Sequence, residues 1–173
     1  AARRWRRIYG LGTGVLALVV GAGVVPAAPA NAVDREVTSA DQEYYPYYQL
    51  ASLHSQGYTG EGAIIAMIDG HVNPNIPELA GATIENKSPC TVRSLPENAD
   101  HGTAVAQVLV APKFGVAPGA TLYTYDLGYS EEEVGADCAT AGVYARGEAD
   151  TSLLIEQAIN DGAHIISISS NYP

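Results

Sequence analysis

The chain has 173 residues, of which 47% are apolar and 16% are charged. This is enough material for one compact domain and too little for two. Its 19 acidic residues outnumber its 9 lysines and arginines, which gives a formal net charge of −10. Because phosphate and anionic lipid repel such a chain, we expect neither nucleic acid nor a membrane surface as its partner.

Residues 1–32 have the three parts of a secretory signal peptide. Four arginines precede an apolar stretch, Leu11 to Val25, and Ala30-Asn31-Ala32 fits the small-residue cleavage pattern. A membrane anchor is the alternative, but a stable span needs about 20 apolar residues, and this stretch is short and interrupted by glycines. We therefore predict cleavage after Ala32 and secretion, by either the general or the twin-arginine route.

Residues 33–60 are polar and rich in tyrosine, with Tyr44 to Tyr48 interrupted only by Pro46. We predict an extended segment and then a short helix. This segment is either an N-terminal arm or a short pro-segment. Clustered tyrosines can bind sugars or peptides, but their packing against the domain is the favoured interpretation.

From residue 61 onward the pattern alternates between strands and helices. The uninterrupted apolar run Ala63–Ile68 predicts a strand buried on both faces. Thr121–Leu127 and His164–Ser169 are predicted as two further strands. A helix capped by Asp100 is predicted to begin near His101, and a second, capped by Asp150, to end at Asp161-Gly162. The order predicts an α/β domain with a parallel sheet flanked by helices.

Details of the second helix and its surroundings complete this prediction. Its buried face is expected to contain Leu154, Ile155, Ala158 and Ile159. Residues 128–149, with three consecutive glutamates and several glycines, are expected to form a loop.

Cys90 and Cys138 are the only cysteines. An even number of cysteines in an exported protein makes one disulfide plausible. A metal site is disfavoured, because neither cysteine has a second Cys or a His within two to four residues.

Asp69 lies at the predicted carboxyl end of a strand, and His101 at the predicted start of the following helix. An open parallel sheet carries its functional side chains at these positions. Asp69 ends an apolar strand, so its carboxylate would emerge at the sheet rim and could hold an imidazole in one tautomer. His101 begins a helix, with Gly102 leaving room beside the ring, and a neutral imidazole there could accept a proton and return it. Each feature alone is more often a capping, turn or surface residue.

A series of blocks occurs in order along the chain. They are Ile64-Ile65-Ala66-Met67-Ile68-Asp69, Asn75-Ile76-Pro77-Glu78-Leu79, His101-Gly102-Thr103-Ala104-Val105-Ala106, Gly115-Val116-Ala117-Pro118-Gly119-Ala120 and Ala158-Ile159-Asn160-Asp161-Gly162-Ala163 through Ser169. In this order the blocks resemble the subtilase family of serine proteases.

The resemblance implies a subtilisin-like fold that is incomplete, with residues 61–173 as the N-terminal part of a catalytic domain. It implies that Asp69 orients the ring of His101, the general acid/base. It also implies that Ser169, Ser170 and Asn171 bind an extended peptide substrate through their backbone. Because no Gly-Thr-Ser-Met-Ala-like block occurs, the nucleophilic Ser is expected beyond residue 173, and this polypeptide alone should be inactive.

Two other functions compete with a secreted serine endopeptidase. A non-catalytic pseudoprotease that binds peptides is supported by three departures from the family pattern, at Gly70-His71, Ala104 and Gln107. A nucleotide-binding domain would need a glycine-rich loop after the first strand, where this chain has Asp69 to Pro74.

The remaining expectations concern other histidines and ligands. His54 and His164 are interpreted as surface and strand-edge residues, whereas His71 could line the cleft. No cofactor is expected: structural calcium is common in such proteases, but no acidic cluster here has the spacing of a known calcium loop. A polypeptide is the expected substrate, and a monomer the expected state.

Overall fold

The computed structural model describes residues 36–128, 130, 132–142, 144–145 and 148–169. The predicted signal peptide, residues 1–32, and two predicted substrate-binding residues, Ser170 and Asn171, lie outside the described residues. The helices are α1 (Tyr44–Tyr47), α2 (Leu50–Ser55), α3 (Pro96–Val110), α4 (Cys138–Ala141) and α5 (Thr151–Asn160). The strands are β1 (Ile64–Asp69), β2 (Thr83–Asn86), β3 (Thr121–Asp126), β4 (Tyr144–Ala145), β5 (Glu148–Ala149) and β6 (Ile165–Ile168).

Four strands form a parallel sheet in the order β2-β3-β1-β6. The central strand β1 is buried along almost its whole length, as its uninterrupted apolar sequence predicts. Parallel strands need crossover connections, and here helices and loops link them. The predicted α/β domain with a parallel sheet flanked by helices is confirmed.

The side chains of β1 alternate between two apolar clusters, one on each face of the sheet. Ile65 and Met67 belong to the cluster that includes Ala106 and Val110 of α3. Ala66 and Ile68 belong to the cluster that includes Leu154 and Ala158 of α5. The sheet is therefore a middle layer between these two helices, and its odd-numbered β1 positions face α3.

Helix α3 begins earlier than predicted. Pro96 occupies its first turn, Leu95 is the N-cap residue, and Asp100 lies inside the helix rather than at its start. Proline is favoured in a first helical turn because its φ is already fixed and its missing N–H is not needed there. The prediction of Asp100 as the cap was wrong, whereas Asp150 caps α5 by accepting hydrogen bonds from Ser152 N and Leu153 N.

Other predictions are corrected in detail. Ile159 is 60% exposed, so the buried face of α5 contains Leu154 and Ala158 but not Ile159. Strand β2 was not predicted. The segment 128–149, predicted as a loop, contains α4 and the antiparallel β4–β5 pair.

The tyrosine-rich segment packs only in part against the domain. The Tyr44 hydroxyl donates a hydrogen bond to the Phe114 carbonyl at 3.0 Å, and Tyr45 contacts the cluster beneath α3. Tyr47 and Tyr48 are exposed. The favoured interpretation therefore holds for Tyr44 and Tyr45.

Within the described residues no helix is long and apolar enough to cross a membrane.

Candidate active site

Three polar residues lie side by side at the carboxyl edge of the sheet. Asp126 of β3 is the register partner of Asp69 in β1. Ser169 follows Ile168, which is the register partner of Ile68. All three therefore lie at one level on adjacent strands, on the face toward α3, because side chains two residues apart in a strand share a face.

Asp69 is the middle member of this row, and its side chain is fully buried. Its Oδ1 accepts hydrogen bonds from Gly70 N at 2.6 Å and from His101 Nδ1 at 2.8 Å. Its Oδ2 accepts one from Ser169 Oγ at 2.7 Å. Donors on both oxygens fix the orientation of the carboxylate, so Oδ1 is directed at the imidazole.

The imidazole of His101 is hydrogen-bonded at Nδ1, and its side chain is partly exposed to solvent. An ionised carboxylate only accepts hydrogen bonds, so Nδ1 must carry the proton that it donates to Asp69. In the neutral ring Nε2 is then a free base, and the side chain is 51% exposed. A fixed tautomer with an accessible Nε2 can accept a proton from a nucleophile and return it to a leaving group.

Two glycines allow α3 to approach the end of β1 closely enough for this pair to form. A Cβ at Gly102 would lie 2.1 Å from the Gly70 carbonyl oxygen, and one at Gly70 would lie 2.1 Å from the Asn98 carbonyl oxygen. No L side chain fits at such distances. Gly70, a departure from the family pattern in the sequence, is therefore required by its contact with α3.

A second imidazole and carboxylate pair lies beside the first. His71 Nδ1 is 2.8 Å from Asp126 Oδ2, which also accepts a hydrogen bond from Asn86 Nδ2 at 2.8 Å. Asp126 is buried, and the His71 side chain is 46% exposed. The sequence analysis identified His71 as a candidate but missed Asp126. A partial signal was available, because Asp126 is the last residue of a strand as Asp69 is.

A groove of about 380 Å³ opens between α3 and β6, beside His101. Its walls are mainly apolar. They are formed by Ala104, Val105, Val108, Leu109, Ser167 and Ser169 together with the His101 ring. The imidazole therefore borders open space on its groove side.

The remaining candidates lie away from this centre. His54 Nε2 contacts the Val116 carbonyl oxygen at 3.1 Å, and His164 Nδ1 accepts a hydrogen bond from Ile64 N at 2.9 Å. Both contacts are between a side chain and the backbone. Across the described ranges no group of three or more His, Cys, Asp or Glu could hold a metal ion.

Sequence comparison identifies the family. A sequence model described as "Subtilase family" matches residues 60–172, which is more than half of the chain. The chain belongs to the subtilase family. The matched range of this subtilase includes Asp69, His101 and Ser169.

Individual relatives of this subtilase chain are proteases. It is 35% identical over 77 residues to subtilisin E of Bacillus subtilis, covering 42% of the chain and 20% of that protein. It is 29% identical over 160 residues to the minor extracellular protease Vpr of Bacillus subtilis, covering 80% of the chain and 18% of that protein. The chain thus spans about a fifth of the length of these curated relatives.

One solved structure supports the fold of this subtilase. The PatG macrocyclase domain aligns with a TM-score of 0.50 at 18% identity, over 69% of this chain and 50% of that one. At this identity the likeness supports the subtilisin-like fold alone.

Proposed function

We propose that this chain supplies the Asp and His of a Ser-His-Asp triad in a secreted serine endopeptidase. Asp69 orients the imidazole, and His101 is the general acid/base. The nucleophilic Ser is supplied by residues outside these 173. The observation that carries the proposal is the 2.8 Å hydrogen bond between His101 Nδ1 and the buried Asp69.

The chemistry follows from the tautomer of His101. Nε2 accepts the proton of the Ser hydroxyl as its oxygen attacks the carbonyl carbon of a peptide bond. The resulting imidazolium lies against the Asp69 carboxylate, which stabilises the positive charge. The same proton then passes to the leaving amine. Water next attacks the acyl-enzyme, and Nε2 accepts a proton from this water and returns it to the serine oxygen as the acyl group leaves. Asp69 stays ionised and is not protonated in this cycle.

We further propose that an extended polypeptide binds along the end of β6, at Ser169, Ser170 and Asn171. The resemblance to subtilases supports this, because it implies that the backbone at the end of this strand pairs with an extended peptide through main-chain hydrogen bonds. The hydroxyl of Ser169 bonds Asp69, so the same residue would connect the substrate-binding strand with the triad.

Secretion is part of the proposal. Its support comes from the signal-like pattern of residues 1–32 with Ala30-Asn31-Ala32 at its end, and from the disulfide between Cys90 and Cys138. Disulfides form and persist in oxidising compartments. One relative is named an extracellular protease, and the acidic balance of the chain keeps an exported protein soluble.

A cleavage assay tests the proposal against the pseudoprotease alternative. The full-length protein, expressed from the complete gene, is incubated with a denatured protein, and new N-termini are identified by mass spectrometry. We expect cleavage by the wild type and none above background by His101→Ala, with His54→Gln as the matched control that retains activity. Peptide binding without cleavage by the wild type would favour the pseudoprotease.

A further inference from the structure

Helix α3, which carries His101, begins without a cap of its own. Its N-cap residue is Leu95, whose side chain cannot accept a hydrogen bond, and the next residue is Pro96. The first turn of any helix has backbone N–H groups without partners inside the helix. The positive end of the helix dipole also lies there. An acceptor from elsewhere is therefore needed at this end.

Glu133 supplies that acceptor from the segment after β3. Its Oε1 accepts hydrogen bonds from Leu95 N at 2.8 Å and from Asn98 Nδ2 at 2.9 Å. The side chain is only 1% exposed. A buried carboxylate at a helix N-terminus combines charge-assisted hydrogen bonds with a favourable interaction with the dipole.

The segment that carries Glu133 is fastened to the residues just before α3. Arg93 N donates to the Glu133 carbonyl oxygen at 2.6 Å, Val92 and Val134 form an antiparallel bridge, and a disulfide joins Cys90 to Cys138. On this segment the three links lie at Glu133 itself or within five residues after it. The carboxylate therefore has a fixed position relative to the start of the helix.

The start of α3 is also where the helix contacts the end of β1. Asn98, whose side chain Glu133 holds, places its carbonyl oxygen against Gly70. One turn later Gly102 lies against the Gly70 carbonyl oxygen. His101 and Asp69 immediately precede these two glycines. A change in the position of the first turn would therefore alter the contact between the imidazole and Asp69.

We infer that Glu133 is a positioning residue for His101, acting through the N-terminus of α3. This rests on the proposed function, in which His101 is the general acid/base. The hydrogen bonds of Glu133 to Leu95 N and Asn98 Nδ2 lie at the first turn of the helix, before His101. Its carboxylate sets the position of the first turn, and thereby the alignment of His101 Nδ1 with Asp69.

The test compares Glu133→Ala and Glu133→Gln with Asp150→Ala in the full-length protein. Asp150 is the matched control, since it caps α5, a helix that carries none of the proposed catalytic groups. Labelling histidines with ¹⁵N reveals which ring nitrogen of His101 carries the proton, and His101→Gln assigns the signal. We expect one fixed tautomer in the wild type and in Asp150→Ala, and exchange between both tautomers in Glu133→Ala.

Kinetics give the second readout. We expect Glu133→Ala to lower kcat on the order of 10²-fold with little change in KM, the loss that follows from a small misplacement of a catalytic group. Glu133→Gln keeps an acceptor oxygen and should lose less, so it replaces Glu133→Ala if that variant does not fold. Folded Glu133 variants with the wild-type tautomer and kcat would overturn the inference, as would an equal loss in Asp150→Ala.

The two readouts separate this inference from the proposed function. An inactive wild type whose His101 tautomer still depends on Glu133 would contradict the protease and support the positioning role. An active wild type with a tautomer and kcat that do not depend on Glu133 would contradict the positioning role alone.

Discussion

Two histidine and carboxylate pairs lie at neighbouring positions on the sheet edge, but only one has the surroundings of a catalytic base. His101 borders the groove between α3 and β6, and its carboxylate partner is also held by Ser169. The partner of His71 is held by Asn86 of β2 instead. The pairs therefore differ in what lies around them, and this favours His101 as the acid/base.

Replacing Asp69 by Asn should reduce activity while leaving the fold intact. The amide can no longer hold the proton on Nδ1, so His101 loses its productive tautomer. In the full-length protein we expect kcat to fall on the order of 10⁴-fold, as for orienting aspartates of other triads. Rates on a peptide ester measure this, and the thermal unfolding curve checks the fold. A loss below tenfold would contradict the role of Asp69.

We assign the His71 and Asp126 pair to stability. His71→Ala should lower the free energy of unfolding by about 1–3 kcal/mol, because the buried Asp126 carboxylate loses one of its donors. Urea unfolding of His71→Ala, Asp126→Ala and the double variant measures the coupling between the two side chains. We expect the double variant to lose less than the two single variants together; strict additivity would mean that the pair contributes nothing.

Local patterns singled out Asp69 and His101 only weakly, and the resemblance to the subtilase blocks strengthened both as candidates. The structure brings the two side chains together at 2.8 Å, and their catalytic roles stay a prediction. Asp126 also ends a strand, but its partner His71 lies 55 positions away. No local spacing brings these two together. Only the register between β1 and β3 does so.

At the scale of elements, the contact between the end of β1 and the first turns of α3 determines the site geometry. Gly70 and Gly102 have no space for a side chain, so the helix lies directly on the backbone of the turn after β1. The distance between Asp69 and His101 thus depends on backbone packing as well as on the two side chains.

A methyl group at position 102 should therefore displace the helix. Because a Cβ would lie 2.1 Å from the Gly70 carbonyl oxygen, we expect Gly102→Ala to cost about 1–3 kcal/mol of stability. Ala is the better helix former, so a gain would be expected without this contact. Chemical denaturation gives the answer, with the exposed Ala104→Gly in the same helix as reference. An unchanged or raised stability of Gly102→Ala would refute the close approach.

The elements were predictable to the extent that their signals are local. Apolar runs identified β1, β3 and β6, and Asp150 identified the start of α5. The start of α3 was missed because its acceptor, Glu133, lies 38 residues from Leu95. Strand β2 was missed because its burial is slight, which leaves no apolar run to recognise.

At the scale of the whole molecule, the disulfide joins the two segments that meet at the start of α3. Cys90 precedes the helix and Cys138 begins α4, with a sequence separation of 48. Even cysteine count and predicted export made the disulfide plausible from the sequence. That the disulfide closes a loop containing Glu133, next to the start of α3, became evident only from the fold.

Removing this disulfide should destabilise the domain substantially. For a loop of this length the loss of the cross-link from the unfolded chain corresponds to about 4 kcal/mol. We expect Cys90→Ser with Cys138→Ser to lower the free energy of unfolding by about that amount, measured under oxidising conditions. The wild type in reductant should match the double variant. If reductant also lowered the stability of the double variant, the loss seen in the wild type would not be due to this disulfide.

The central claim is that Asp69 and His101 activate a serine, and labelling with a fluorophosphonate probe tests it most directly. The full-length protein is treated with the probe, and the modified residue is located by mass spectrometry, for the wild type and His101→Ala. We predict that the wild type is labelled at a single serine and that His101→Ala is not. An unlabelled but folded wild type, or equal labelling of both proteins, would contradict the account.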